Sequence, residues 1–211
     1  MDKSLVVALL AAYLLGSLPF AYWIAYAAHG VDPRMVGDGN LGAKNVFLQV
    51  GHFEGLIVGL LDIGKGMTAM LLGTRFRLDM GELFAVGLAV ILGHNWPMFF
   101  HFQGGQGMAT TIGVLLALLP RETLLGILAL AITLCLTRHW NLACGIGLTS
   151  IPLIALKWEN NLALTVYATA LLPLIGVRKW MQTAAAHWRR PQDARTQPME
   201  NGCVHENGPK P

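Results

Sequence analysis

Charge is what this sequence has least of. Only 13% of its 211 residues are Asp, Glu, Lys or Arg, about half the ~25% carried by soluble domains. The shortage is uneven: none of these residues occurs between Lys3 and His29, and none between Glu82 and Arg121. Roughly 20 apolar residues suffice to cross the hydrocarbon core as a helix, so these intervals exclude a soluble globular chain. The second interval is too long for one crossing and has a polar middle, which reads as two spans around a loop. Cysteine is scarce too. Cys135 and Cys144 fall in apolar segments and Cys203 lies near the C-terminus, a pattern that offers neither a disulfide framework nor metal-ligand spacing. No metal and no cofactor are therefore expected. The net charge of +3 comes without a basic stripe, which argues against nucleic acid as a partner. No long internal repeat is visible.

What is present is apolar sequence in blocks. The expected fold is all-α and integral to the membrane, with about seven transmembrane helices and glycine-rich loops on one face. The spans fall near Ser4–Ala28, Phe53–Thr74, Glu82–Phe100, Gly107–Pro120, Glu122–Thr137, Trp140–Lys157 and Asn161–Val177. Ala25-Tyr26-Ala27 resembles a signal-peptidase site, but the preceding apolar run exceeds a typical signal core, so a retained anchor is expected. Residues 1–188 form the membrane domain, and 189–211 read as a polar, disordered tail with too little apolar surface to bury. Arg178, Lys179, Arg189 and Arg190 place the C-terminus in the cytoplasm by the positive-inside rule, and seven crossings then put the N-terminus outside. In either orientation the loops at Gly37–Asn45 and His101–Gly107 lie two crossings apart and open on the same face.

Those two loops carry the polar chemistry. The first reads Asp32-Pro-Arg-Met-Val-Gly-Asp-Gly-Asn-Leu-Gly-Ala-Lys-Asn45. Glycines at 37, 39 and 42 let a ligand approach the main chain. Asn40 and Asn45 add amides, Arg34 and Lys44 add positive charge, and successive N–H groups in such a turn form anion-binding nests. An ordinary connecting turn accounts for the same composition equally well. In the second loop Gly104, Gly105 and Gly107 lead directly into an apolar run. A glycine turn feeding a helix start aims N–H groups and the helix dipole at a phosphate; the alternative is a kinked connection in which Thr110 helps cap the helix. His94 taken alone reads as a satisfied interfacial histidine. Asp62 and Lys65 sit three apart inside a span, either as an internal ion pair or with Lys65 reaching a bound phosphate.

Taken in order, these segments resemble the bacterial acyl-phosphate-dependent glycerol-3-phosphate acyltransferases from about Ser4 to Val177. The resemblance rests on Gly16-Ser-Leu-Pro-Phe20, then the Asp32–Asn45 motif, then Asp62-x-x-Lys65-Gly66. Gly93-His94-x-x-Pro97 and Phe102-x-Gly104-Gly105-x-Gly107-x-Ala109-Thr110 complete it. It implies a seven-helix protein of the bacterial inner membrane with a cytoplasmic active face. It also implies transfer of a fatty acyl group from acyl phosphate to glycerol 3-phosphate, giving lysophosphatidic acid within the phospholipid pathway. On that footing His94 and Lys65 are the catalytic residues. Arg34, Gly39, Asn40, Gly42, Lys44, Asn45, Gly104, Gly105, Gly107 and Thr110 bind the phosphorylated substrates, and neighbouring spans hold the acyl chain beside membrane lipid. The family pattern has Ser, Thr and Arg where this chain has Asp38, Lys44 and Leu48, and Lys where it has Gln103 and Gln106. It also has a C-terminal His-x-x-Asn segment that Arg178-Lys-Trp-Met-Gln-Thr-Ala does not match. Those departures keep a second expectation open, a homologue that binds lipid precursors without turnover. A small transporter is the third.

Overall fold

The computed structural model describes residues 3–159 and 161–196, with side chains as far as residue 184. The chain forms α1 (Lys3–Gly16), α2 (Phe20–His29), α3 (Ala43–Gln49), α4 (His52–Arg75), α5 (Met80–Asn95), α6 (Met108–Leu118), α7 (Pro120–Thr137), α8 (Trp140–Trp158) and α9 (Leu162–Thr196). Among the described residues six helical stretches are long and apolar enough to cross a membrane, and Met108–Leu118 is a shorter apolar helix. The first stretch is one span in sequence and two helices in space, because Pro19 has no N–H to continue the ladder and Gly16-Ser-Leu unwinds before it.

Polarity is arranged for lipid. Leu10, Leu60, Leu136 and Leu153 are 60%, 61%, 78% and 68% exposed, whereas Ser17, Asn95, Thr110, Thr111 and Thr123 are fully buried. Small residues bring the helices close enough to enclose those polar groups. A side chain on Gly66 of α4 would strike the Thr110 carbonyl of α6, and one on Gly113 of α6 would strike Ile63 of α4. Gly16 and Gly93 interlock α1 with α5 in the same reciprocal way.

Two features differ from the expected spans. The stretch Gly107–Pro120 yields a helix of only 11 residues, about 16 Å long at 1.5 Å per residue. It cannot cross ~30 Å of hydrocarbon unaided. Its first turn packs against the middle of α4, with Thr110 opposite Gly66. The last helix is longer than expected: α9 continues to Thr196, past the anticipated tail boundary at 189. The remainder of that tail, 197–211, lies outside the described residues.

Candidate active site

The first loop is folded by one amide. Asn45, 3% exposed, donates through Nδ2 to the carbonyls of Pro33 (2.8 Å), Val36 (3.1 Å) and Asn40 (3.1 Å). Its Oδ1 accepts the Asp38 N–H at 3.3 Å. Gly37 turns with φ 61°, and a side chain there would run into the Asn45 amide. Asn45 is thus a staple of the loop, its polar atoms consumed by backbone. Asp38 also works locally, its Oδ1 accepting the Asn40 N–H at 3.1 Å.

Arg34 is likewise committed. Asp32 caps a 3-10 turn at Pro33–Met35 through the Arg34 N–H. The same carboxylate takes the guanidinium at 2.7 Å from Nη2 and 3.1 Å from Nε. The hydrogen bonds from Arg34, chiefly through its side chain, hold the Asp32 carboxyl below the usual carboxylate range. The guanidinium lies 5.7 Å from the Tyr22 ring and 5.3 Å from that of Phe100, tying the first loop to the second. Lys44, on the first turn of α3, has no carboxylate partner among the described residues.

Beneath these loops sits a buried cluster. Asp62 Oδ1 lies 2.7 Å from Lys65 Nζ and 3.5 Å from His94 Nδ1. Lys65 also reaches the Leu18 carbonyl at 3.5 Å, which accepts the Phe20 N–H at 3.1 Å across the break at Pro19. The other side of the His94 ring faces the second loop: a side chain on Gly105 would collide with His94 Nε2 and lie 2.9 Å from the Leu41 carbonyl of the first loop. A narrow recess of about 10 Å³ is lined by Ser17, Leu41, Asp62, Lys65, His94 and Gly105. The parity expectation holds in space, because both loops meet over Lys65. Asp62, read from sequence only as a partner for Lys65, is the hub that joins it to His94, 32 residues further on (94 − 62).

The second loop departs in detail from a three-glycine cradle. Gly105 donates its N–H to the His94 carbonyl at 3.1 Å, so that amide is spent. Gly107, at φ 79°, opens α6 with its carbonyl, and Thr110 gives no cap: its hydroxyl is buried and unpartnered. The orphan N–H groups of the first turn of α6 remain. The carbonyls of Gly104 and Gly105 turn towards α9, where Gln182 reaches them at 2.8 and 3.4 Å and Asn40 Oδ1 at 3.2 Å. Gln106 donates to Gln182 Oε1 at 3.0 Å. Local pattern missed this contribution of α9, whose partners stand more than 70 residues earlier; only the helical period placing 178 and 182 on one face hinted at it. Ala43, Phe47, Gly55, Gly59, Ile63 and Trp140 line an apolar groove of about 230 Å³, which shares α4 but no lining residue with the recess.

The family model for glycerol-3-phosphate acyltransferase matches residues 6–187. The chain belongs to this family. A glycerol-3-phosphate acyltransferase of Desulforamulus reducens is 39% identical over 157 residues, covering 74% of this chain and 78% of the relative. One from Pseudomonas fluorescens Pf0-1 is 37% identical over 164 residues, covering 78% and 86%. The crystal structure of PlsY, an integral membrane glycerol 3-phosphate acyltransferase, in its glycerol 3-phosphate form superposes with a TM-score of 0.79 at 32% identity. It covers 92% of this chain and all of that one. The lysophosphatidic acid form gives 0.75 at 31% identity, covering 92% and 94%. The chain is thus a multi-pass integral membrane protein of the acyltransferase fold. Among its departures from the family pattern, Leu48 is 58% exposed and Arg178 is buried, while Asp38 and Gln103 are exposed and Lys44 and Gln106 are half-buried.

Proposed function

We propose that this chain is the acyl-phosphate-dependent glycerol-3-phosphate acyltransferase of its cell. The observation that carries the reading is the convergence of the two glycine loops over the Asp62–Lys65–His94 cluster. An apolar groove is lined by the N-terminal half of the same helix, α4. Acyl phosphate is already activated, so the protein has mainly to position two phosphorylated molecules and stabilise developing charge.

In the proposed step the glycerol phosphate hydroxyl oxygen attacks the acyl carbonyl carbon. The bond from that carbon to the phosphate oxygen breaks, inorganic phosphate departs, and lysophosphatidic acid remains. His94, oriented through Nδ1 by Asp62, takes the hydroxyl proton at Nε2. Lys65 supplies positive charge beside the leaving phosphate. Asn40, Lys44, Gly39 and Gly42 hold glycerol phosphate at the rim. Gly104, Gly107 and the first turn of α6 up to Thr110 face the acyl phosphate. Arg34, Asn45 and Gly105 act by shaping the two loops, since their polar groups are taken. The acyl chain lies in the groove between α3, α4 and Trp140. The active face is cytoplasmic in the bacterial inner membrane, with the C-terminus on that side and the N-terminus outside, in keeping with the basic residues after Val177.

Purified protein in detergent, given acyl phosphate and labelled glycerol 3-phosphate, is expected to release labelled lysophosphatidic acid. No product beside an active homologue as control refutes the reading. A C-terminal reporter that is active only outside the cytoplasm tests the orientation.

A further inference from the structure

Arg178 points from α9 into the second loop. It is 7% exposed, and its Nη2 donates to the carbonyls of Asn95 (2.8 Å) and Gly104 (3.3 Å). Its Nε donates to the Gly105 carbonyl at 3.2 Å, and the guanidinium stacks 5.1 Å from the Trp96 ring. No carboxylate pairs with it among the described residues. A buried cation without a counter-ion is costly, and an apolar side chain of similar size would fill the space more cheaply.

What the arginine gains is control of peptide direction. The C=O and N–H of a trans peptide point to opposite sides. The carbonyl of Gly105 belongs to the same peptide as the N–H of Gln106, so holding one towards α9 turns the other away from it. Glycine peptides resist such a flip least, and a flipped carbonyl would present negative charge to a phosphate. Fixing the loop this way also leaves the Arg178 charge unneutralised behind the amides that start α6.

The geometry points to Arg178 as a positioning residue of the acyl transfer: it keeps the Gly104-Gly105 carbonyls on the α9 side, so that the Gln106 N–H and the first turn of α6 face a phosphate. In this chain, with Gln at 103 and 106, it also supplies positive charge that the rim lacks. This inference rests on the proposed reaction for its kinetic test, but anion binding tests it without turnover.

Full-length wild type, Arg178→Met and Arg178→Lys are purified in detergent and compared in two ways. Thermal stabilisation by inorganic phosphate and by glycerol 3-phosphate reads anion binding whether or not the protein turns over. Steady-state kinetics read the split between KM and kcat. The methionine variant is expected to lose the phosphate-induced stabilisation and to raise KM for at least one phosphorylated substrate by about tenfold or more, with lysine recovering part of both. Unchanged stabilisation and unchanged KM in Arg178→Met overturn the inference, as does a wild type that phosphate does not stabilise at all. A wild type that binds phosphate yet makes no product overturns the proposed reaction and leaves the anion-binding comparison to decide this one. Where the methionine variant does not fold, the lysine variant decides: a rise in KM of roughly threefold supports the role, and wild-type KM with wild-type stabilisation refutes it.

Discussion

Asp62 Oδ1 stands 2.7 Å from Lys65 Nζ, with both side chains sealed from solvent. Removing either partner strands the charge of the other, at a cost of about 3–5 kcal/mol. Asp62→Asn and Lys65→Met should each lower the thermal midpoint in detergent and abolish product formation. The double variant should regain most of the lost stability and none of the activity. Activity returning with stability would show that Lys65 serves only as a counter-ion.

A side chain on Gly105 would meet both the His94 ring and the Leu41 carbonyl. A methyl group there must push one of them away, at about 1–3 kcal/mol for an overpacked site. Gly105→Ala is expected to cut kcat/KM by roughly a hundredfold while the protein remains folded, the size of a lost catalytic alignment. Wild-type kinetics in this variant would break the link between the His94 ring and the second loop.

The Asn45 amide joins three carbonyls and one N–H of the first loop. Asn45→Asp keeps the shape but donates nothing, leaving carbonyls unpaired at roughly 1–3 kcal/mol each. A lower melting temperature and a raised KM for glycerol 3-phosphate are expected together. A change in KM without loss of stability would instead mark Asn45 as a direct substrate ligand.

Asp32 has a native pKa below the ordinary carboxyl value because Arg34 hydrogen-bonds its charged form. A depressed carboxylate stabilises the fold fully above its unfolded pKa, near pH 4, and that contribution fades as pH falls through the lower native value. The stability gap between wild type and Asp32→Asn should therefore be constant from about pH 6 to 8 and close below about pH 4. Thermal melts across that range check it, and a gap that widens on acidification would contradict the pairing.

Gly59 lines the apolar groove, where a side chain would meet only Ala43 Cβ at 3.4 Å. Gly59→Leu fills the groove without disturbing α4. KM for long-chain acyl phosphates is expected to rise about tenfold, while that for short chains stays near wild type, because each lost methylene contact is worth about 0.8 kcal/mol. Equal effects on both lengths would place the chain elsewhere.

The bilayer left a plain record in this sequence. Uncharged intervals such as Lys3–His29 marked the spans because each buried charge in lipid is expensive, and the parity of those spans brought the two loops to one face. Residue roles inside the loops were harder to read. Asn45 and Asn40 carry the same amide in the same motif, but one is exhausted by backbone while the other meets Gln182 from α9. That difference depends on how the loop closes, which composition does not encode. The approach of Arg178 to Gly105 and of His94 to Asp62 belongs to helix packing, set by reciprocal glycine contacts such as Gly66 against Thr110 and Gly113 against Ile63.

The shortness of α6, 11 residues, decides which part of a substrate has to change solvent. A reaction run at the water surface would drag each fatty chain out of oil and return it, at about 0.8 kcal/mol per methylene. On the proposed reaction, the start of α6 beside the middle of α4 would let the acyl carbonyl be met at depth, with the chain entering and leaving sideways. Only the phosphate ends would then commute to water, and product release would be decoupled from chain length.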